Sequence, residues 1–141
     1  MAGASSQTLP NNISITDEQG TRVQLASLTR GHVSVVAFWS RFCGISRLRL
    51  PLLAATRRAL EGREIAFLPI TTEAPGPDVR AFLRDHRIEL TSYYDDHGQA
   101  RRATYNISTP TYYVLDAAGR VRFQSHTPTL AITEAVALQQ R

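Results

Sequence analysis

The sequence has no lysine and only one cysteine, and each scarcity removes a class of function. All sixteen basic side chains are arginines, scattered along the chain with only Arg57-Arg58 and Arg101-Arg102 adjacent. A nucleic-acid footprint is a basic cluster with interleaved aromatics. The net charge of +4 is therefore read as coding composition, and no nucleic acid is expected as a partner. A single cysteine excludes an intrachain disulfide, a cysteine-rich scaffold and a zinc cage of cysteines. The histidines, at 32, 86, 97 and 126, are dispersed, with no helical i, i+4 ligand pair, so no metal and no cofactor are expected. No apolar run approaches the roughly 20 residues that span a bilayer. Met1 to Pro10 is small and polar, without the basic start and apolar stretch of a signal peptide. That leaves a cytoplasmic protein or one whose leader has been removed.

What is present suits one domain. The 141 residues are 43% hydrophobic and 20% charged, enough to bury a proper core. Residues 1–12 read as a flexible N-terminus and 13–141 as the domain. Ile13-Ser14-Ile15 and Val23-Gln24-Leu25 alternate with period two and predict a β-hairpin, followed by a short turn over Leu25 to Leu28. Val33 to Trp39 reads as a buried strand. Leu48, Leu52, Ala55 and Ala59 then recur at helical spacing and predict the inner face of a helix, with Gly62 near its C-terminal cap. Ile65 to Ile70 predicts a second buried strand, Asp78 to His86 a helix, Thr91 to Tyr94 a short strand and Gln99 to Tyr105 a short helix. Asp95 and Asp96, beside Gly98, read as turn residues rather than as an acid–base pair. Ile107 to Val121 reads as a strand, an Asp-x-x-Gly turn and a second strand. Thr127-Pro128 predicts the start of a closing helix, with Ile132, Ala135 and Val136 on its apolar side. Strands alternating with helices, ending in a hairpin, predict an α/β fold with a mixed sheet covered on both faces.

Cys43 lies where the Val33–Trp39 strand gives way to a helix. First-turn N–H groups lack intrahelical partners and the helix dipole is positive there, so a thiolate at that point is favoured. Arg41 and Arg47 flank it and act in the same direction. A lone cysteine is otherwise a small buried apolar residue, but these neighbours favour catalysis.

Phe38-Trp39, Cys43, Arg47 and Pro51 resemble, in register, the active-site segment of the TlpA/ResA-like thiol-disulfide oxidoreductases of the thioredoxin superfamily. Phe42 stands where that family usually has Trp, and Ser46 where it has the second, resolving cysteine. A second motif, Thr109-Pro110-Thr111 to Leu115-Asp116-Ala117-Ala118-Gly119-Arg120-Val121, resembles the family's cis-proline strand and turn. The likeness spans most of residues 13–125. It implies a thioredoxin fold with an N-terminal β-hairpin and a central βα insertion around 71–94. It implies catalysis by Cys43, with Ser46 able to donate a hydrogen bond to the thiolate. Glu73 is the candidate for the carboxylate that such reductases carry near the cysteines, a solvated loop glutamate being the plain alternative. Substrate-binding positions carried over are Trp39, Phe42, Gly44, Ile45, Thr109 and Pro110, with Trp39 more a platform than a contact.

The implied partners are protein thiols and disulfides or a glutathione-like small thiol, with a membrane reductase as a further partner and the protein itself a monomer. The implied place is the periplasm or another extracytoplasmic compartment of a bacterium, where family members reduce apocytochromes and other exported proteins. With Ser46 in place of cysteine, resolution must come from outside the chain. Three readings stay open: a monothiol enzyme, a binding module that kept the fold, or an introduced Cys→Ser change that traps mixed disulfides. A peroxiredoxin-like peroxidase is the competing enzyme, since Ser40, three residues before Cys43, stands where such enzymes orient peroxide. Val36, where they carry proline, argues against it.

Overall fold

The computed structural model describes residues 8–105 and 108–141, and for Ser46 and Arg47 the backbone only. The sheet is built outward from β3 (Ser34–Trp39), every residue of which is buried. A strand buried on both faces favours apolar side chains, and apart from Ser34, whose hydroxyl donates to the Thr29 carbonyl (3.4 Å), this one divides them: Val35, Ala37 and Trp39 enter one core layer, Val36 and Phe38 the other. β4 (Ala66–Thr71) runs parallel to β3, and β6 (Thr111–Leu115) antiparallel on its other side. β6 continues through the Asp116 turn into β7 (Val121–Ser125). Beyond β4 come β5 (Tyr93–Tyr94) and the hairpin β1 (Ser14–Thr16) and β2 (Arg22–Gln24), giving the order β2-β1-β5-β4-β3-β6-β7. On one face lie α3 (Leu50–Leu60), α4 (Pro77–Asp85) and α6 (Pro128–Gln139). On the other lie α1 (Leu25–Thr29) and α5 (Gln99–Thr104). This is the expected α/β architecture, with the hairpin in place and α4 and β5 filling the segment 71–94.

The helix after Cys43 is broken, as the kinking proline of the resemblance implies at Pro51, but its inner face departs from expectation. It is two helices, α2 (Gly44–Leu48) and α3, separated at Arg49, whose φ of −102° and ψ of 6° leave the helix. Pro51 is the physical reason: it cannot donate to the carbonyl four residues back and its ring clashes there, so the chain restarts with Pro51 in the first turn of α3. The inner face is not the expected one. Leu50, Leu53, Ala54 and Leu60 are buried, whereas Leu48 and Leu52 are exposed and Ala59 faces solvent. The segment is apolar on two sides, and the break at Arg49 turns the Leu50 side inward.

Three smaller differences concern chain ends and turns. Within the stretch expected to be loose, the chain is pinned at Leu9. Leu9 is buried, its N–H donates to the Gly119 carbonyl (3.1 Å), and Arg30 donates to its carbonyl (2.8 Å). Residues 1–7 of the expected tail lie outside the described residues. Leu25 to Leu28, expected as a turn, opens α1. The strand expected from Ile107 begins at Thr111, and Asn106 and Ile107 are outside the described residues.

Turns with acidic residues are held by their carboxylates, among them those at Asp95 and Asp116. Asp95 accepts the N–H groups of Ala100 and Arg101 (both 3.0 Å), closing the start of α5, as turn chemistry predicts. Asp116 accepts the N–H groups of Ala118 (3.0 Å) and Arg120 (2.9 Å) and is paired with Arg120 and Arg122 (both 3.3 Å). Desolvation alone would push its carboxyl up, but these hydrogen bonds and the arginine charges together hold it below the usual carboxylate value. In the same turn Gly119 has φ +86°, which favours glycine, and a Cβ there would also push aside the Arg30 guanidinium.

Candidate active site

The site lies at the end of β3 beside the loop that enters β6. After Trp39 the chain turns on Ser40, whose hydroxyl accepts the Phe42 N–H (3.1 Å) and whose carbonyl accepts the Cys43 N–H (3.4 Å). Cys43 follows, half-buried, one residue before α2. Its Sγ donates to the Thr109 carbonyl at 3.5 Å, across 66 residues of chain, and the Thr109–Pro110 bond is cis. The two motifs singled out in the sequence therefore meet. The Thr109 carbonyl can accept this bond only while the sulfur carries its proton.

Glu73 reaches the site through Arg41. Its Oε1 accepts from Arg41 Nε at 2.7 Å, while its Oε2 is buried with no hydrogen-bond partner. The Arg41 guanidinium also lies 4.4 Å from the Phe42 ring centroid and 4.0 Å from an Asp78 oxygen. Arg41 is thus not a bare cation pushing on the sulfur. Its charge is largely answered by Glu73, so its electrostatic help to a thiolate is smaller than its position in the sequence suggests.

The other anticipated residues divide by burial. Phe42 (72% exposed), Gly44 and Ile45 (58%) stand open around the sulfur, and a Cβ on Gly44 would meet nothing. Trp39 does not line the surface. It is 1% exposed, and its indole N–H donates to Ser92 Oγ (2.9 Å), so it supports the strand end from beneath, where a bound substrate would not touch it. Ser46 lies in α2, its side chain outside the described residues. Among the described residues, clefts of about 490, 650 and 510 Å³ are lined by parts of the chain away from Cys43.

Two residues were not anticipated. Ser92 is buried and takes the Trp39 N–H while its own hydroxyl faces the carbonyls of Pro69 (3.2 Å) and Tyr93 (2.8 Å). His126 holds the proline loop: its Nδ1 lies 2.9 Å from the Pro110 carbonyl and 3.3 Å from Thr111 Oγ1. The hairpin register pairs Tyr112 with Ser125, which puts 126 opposite 111, so this contact was in principle readable from the Asp116 turn. Nearby Tyr112 is buried, which pushes its phenol up to about 12 against a smaller downward pull from Arg49, so it stays protonated at neutral pH. Among the described residues no three His, Cys, Asp or Glu side chains group as metal ligands.

A family model described as AhpC/TSA family matches residues 6–124. No curated protein matches the chain. Among solved structures, the chain is similar to a thiol:disulfide interchange protein of the thioredoxin family from Chlorobium tepidum, at 22% identity and TM-score 0.72, over 99% of this chain and 100% of that one. It is also similar to the thioredoxin domain of a thiol-disulfide oxidoreductase from Bacteroides vulgatus, at 19% identity and TM-score 0.76, over 96% and 98%. A third is a secreted disulfide oxidoreductase from Mycobacterium tuberculosis, at 21% identity and TM-score 0.67, over 90% and 93%. At such identities the likeness shows the fold, and the fold is that of thioredoxin.

Proposed function

Since the chain belongs to the AhpC/TSA family and has the thioredoxin fold, we propose that it is a thiol-disulfide oxidoreductase working through Cys43 alone. The observation that carries this reading is the half-buried Cys43, its sulfur set 3.5 Å from the Thr109 carbonyl, beside cis Pro110. The Cys43 thiolate attacks one sulfur of a substrate disulfide, the S–S bond breaks, the other sulfur leaves as a thiolate, and a mixed disulfide on Cys43 remains. Ser46 cannot displace the bound sulfur, because an alkoxide-forming hydroxyl does not exchange with disulfides under these conditions. An external thiolate, glutathione-like or from a protein, attacks instead. It takes the substrate sulfur into a new disulfide and returns Cys43 as the thiolate. Phe42, Gly44, Ile45 and the Thr109 carbonyl form the substrate side of this step, and Trp39 with Ser92 supports it from below. Glu73 is a positioning residue that holds Arg41 on the Cys43 loop.

An extracytoplasmic place fits this chemistry, since disulfide substrates persist there. The Mycobacterium tuberculosis neighbour is described as secreted, and no described helix is long and apolar enough to cross a membrane. A peroxidase is the second reading, favoured by Ser40 three residues before Cys43. In this structure the Ser40 hydroxyl accepts the Phe42 N–H and so shapes the turn. One assay separates the readings. With glutathione as donor, the oxidoreductase reduces a glutathione mixed disulfide and leaves peroxide essentially untouched. Peroxide consumption without disulfide reduction would assign the peroxidase.

A further inference from the structure

Four of the large apolar side chains that stand exposed fall between positions 42 and 52: Phe42 at 72%, Ile45 at 58%, Leu48 at 83% and Leu52 at 48%. They recur every three or four residues, along the outward side of α2 and the start of α3. Contiguous exposed apolar surface forgoes about 25 cal/mol for each Å² left in water and is uncommon on a monomer unless something covers it. The same stretch is one-signed: from Arg41 to Arg58 there are five arginines and no carboxylate, and Arg49 and Arg58 are exposed. The strip starts at the sulfur and extends away from it. The strip runs from Phe42 across the break at Arg49 to Leu52, so it reaches beyond the sulfur's immediate neighbours.

We propose that this strip docks a polypeptide substrate, namely an extended segment in which the reacting cysteine is followed by apolar side chains with carboxylates beside them. The proposal rests on the reading of Cys43 as the nucleophile and narrows its substrate from thiols in general to a protein segment of stated chemistry. A small thiol ends within reach of Phe42 and Gly44 and makes no use of Leu48 or Leu52. An apolar segment buries against the leucines, and its carboxylates answer the exposed Arg49 and Arg58, since Arg41 and Arg57 already face Glu73 and Glu61; such charges steer association more than they tighten it.

The test uses the intact protein and fluorescent eight-residue peptides with serine at the cysteine position, so that binding is read without chemistry. One peptide carries leucines and glutamates after that serine, a second has the leucines replaced by serine, and a third has the glutamates replaced by lysine. Fluorescence anisotropy is expected to show the leucine–glutamate peptide binding about tenfold or more tightly than the serine peptide. The Leu48→Ser/Leu52→Ser double variant is expected to erase that difference, whereas Leu130→Ser, an exposed leucine on α6, is not. The lysine peptide is expected to bind several-fold more weakly at low salt, with the gap closing as salt is added.

Equal binding of all three peptides would overturn the proposal. So would self-association of the protein, seen by sedimentation, that the double variant abolishes, because the strip would then belong to a second copy. Vesicle binding that the double variant abolishes, with no peptide preference, would overturn it in favour of a lipid surface. Reaction of Cys43 with hydroxyethyl disulfide, followed in parallel, keeps the two claims apart. An inert Cys43 alongside leucine-dependent peptide binding would remove the nucleophile and uphold the docking surface.

Discussion

Trp39 shows how much of the site depends on a residue that no substrate touches. It is among the largest fully buried side chains, and its indole N–H ends on Ser92, a hydroxyl buried with it. Trp39→Phe keeps most of the apolar volume but leaves Ser92 without that donor, so a loss of about 1–3 kcal/mol is expected. It would be read as a lower urea midpoint at unchanged slope; an unchanged midpoint would show that the Ser92 contact contributes nothing. At this scale the sequence was partly legible. Cys43 and Pro110 stood out because each lies in a motif with its own spacing, and the fold brings them together. Ser92 and His126 did not, because their partners are 53 and 16 residues away and only strand register joins them. Glu73 was placed near the cysteine by its loop, but nothing local indicated that Arg41 would take its carboxylate.

The helices after Cys43 carry the lesson at the scale of elements. Leu48-Leu52-Ala55-Ala59 and Leu50-Leu53-Ala54-Leu60 both recur at helical spacing, so periodicity alone offered two inner faces. Pro51 decides between them by forcing the restart at Arg49, and its effect on rotation is not contained in a hydrophobic count. Truncations measure the result. Leu53→Ala, at a fully buried position, is expected to cost about 2–5 kcal/mol, and Leu52→Ala, half exposed, under about 1 kcal/mol. Comparable losses at both positions would contradict this packing. The strands were more legible than the helices, since a run such as Val33 to Trp39, apolar at every position but Ser34, suits little but a central strand. α1 was missed because five residues are too few for a period to show.

At the scale of the whole molecule, sheet order was legible only through resemblance, whereas the packing of Leu9 rests on contacts with Arg30 and Gly119 that no local pattern announces. The pH response also belongs to the whole fold. Asp116 has its carboxyl lowered in the folded chain, so its contribution to stability is full above the ordinary value of 3.8 and is lost as pH falls from there through the folded value. Asp116→Asn should therefore be less stable than the parent at neutral pH, with the gap closing under acid; urea titrations at several pH values would show it, and a gap that widens with acid would contradict it. The site itself is tested by intact-mass measurement after exposure of the protein to glutathione disulfide near pH 7. The account predicts one glutathionyl group on Cys43, stable until an added thiol removes it and absent from Cys43→Ser. A Cys43 that stays unmodified, while the unfolded chain reacts readily, would contradict it.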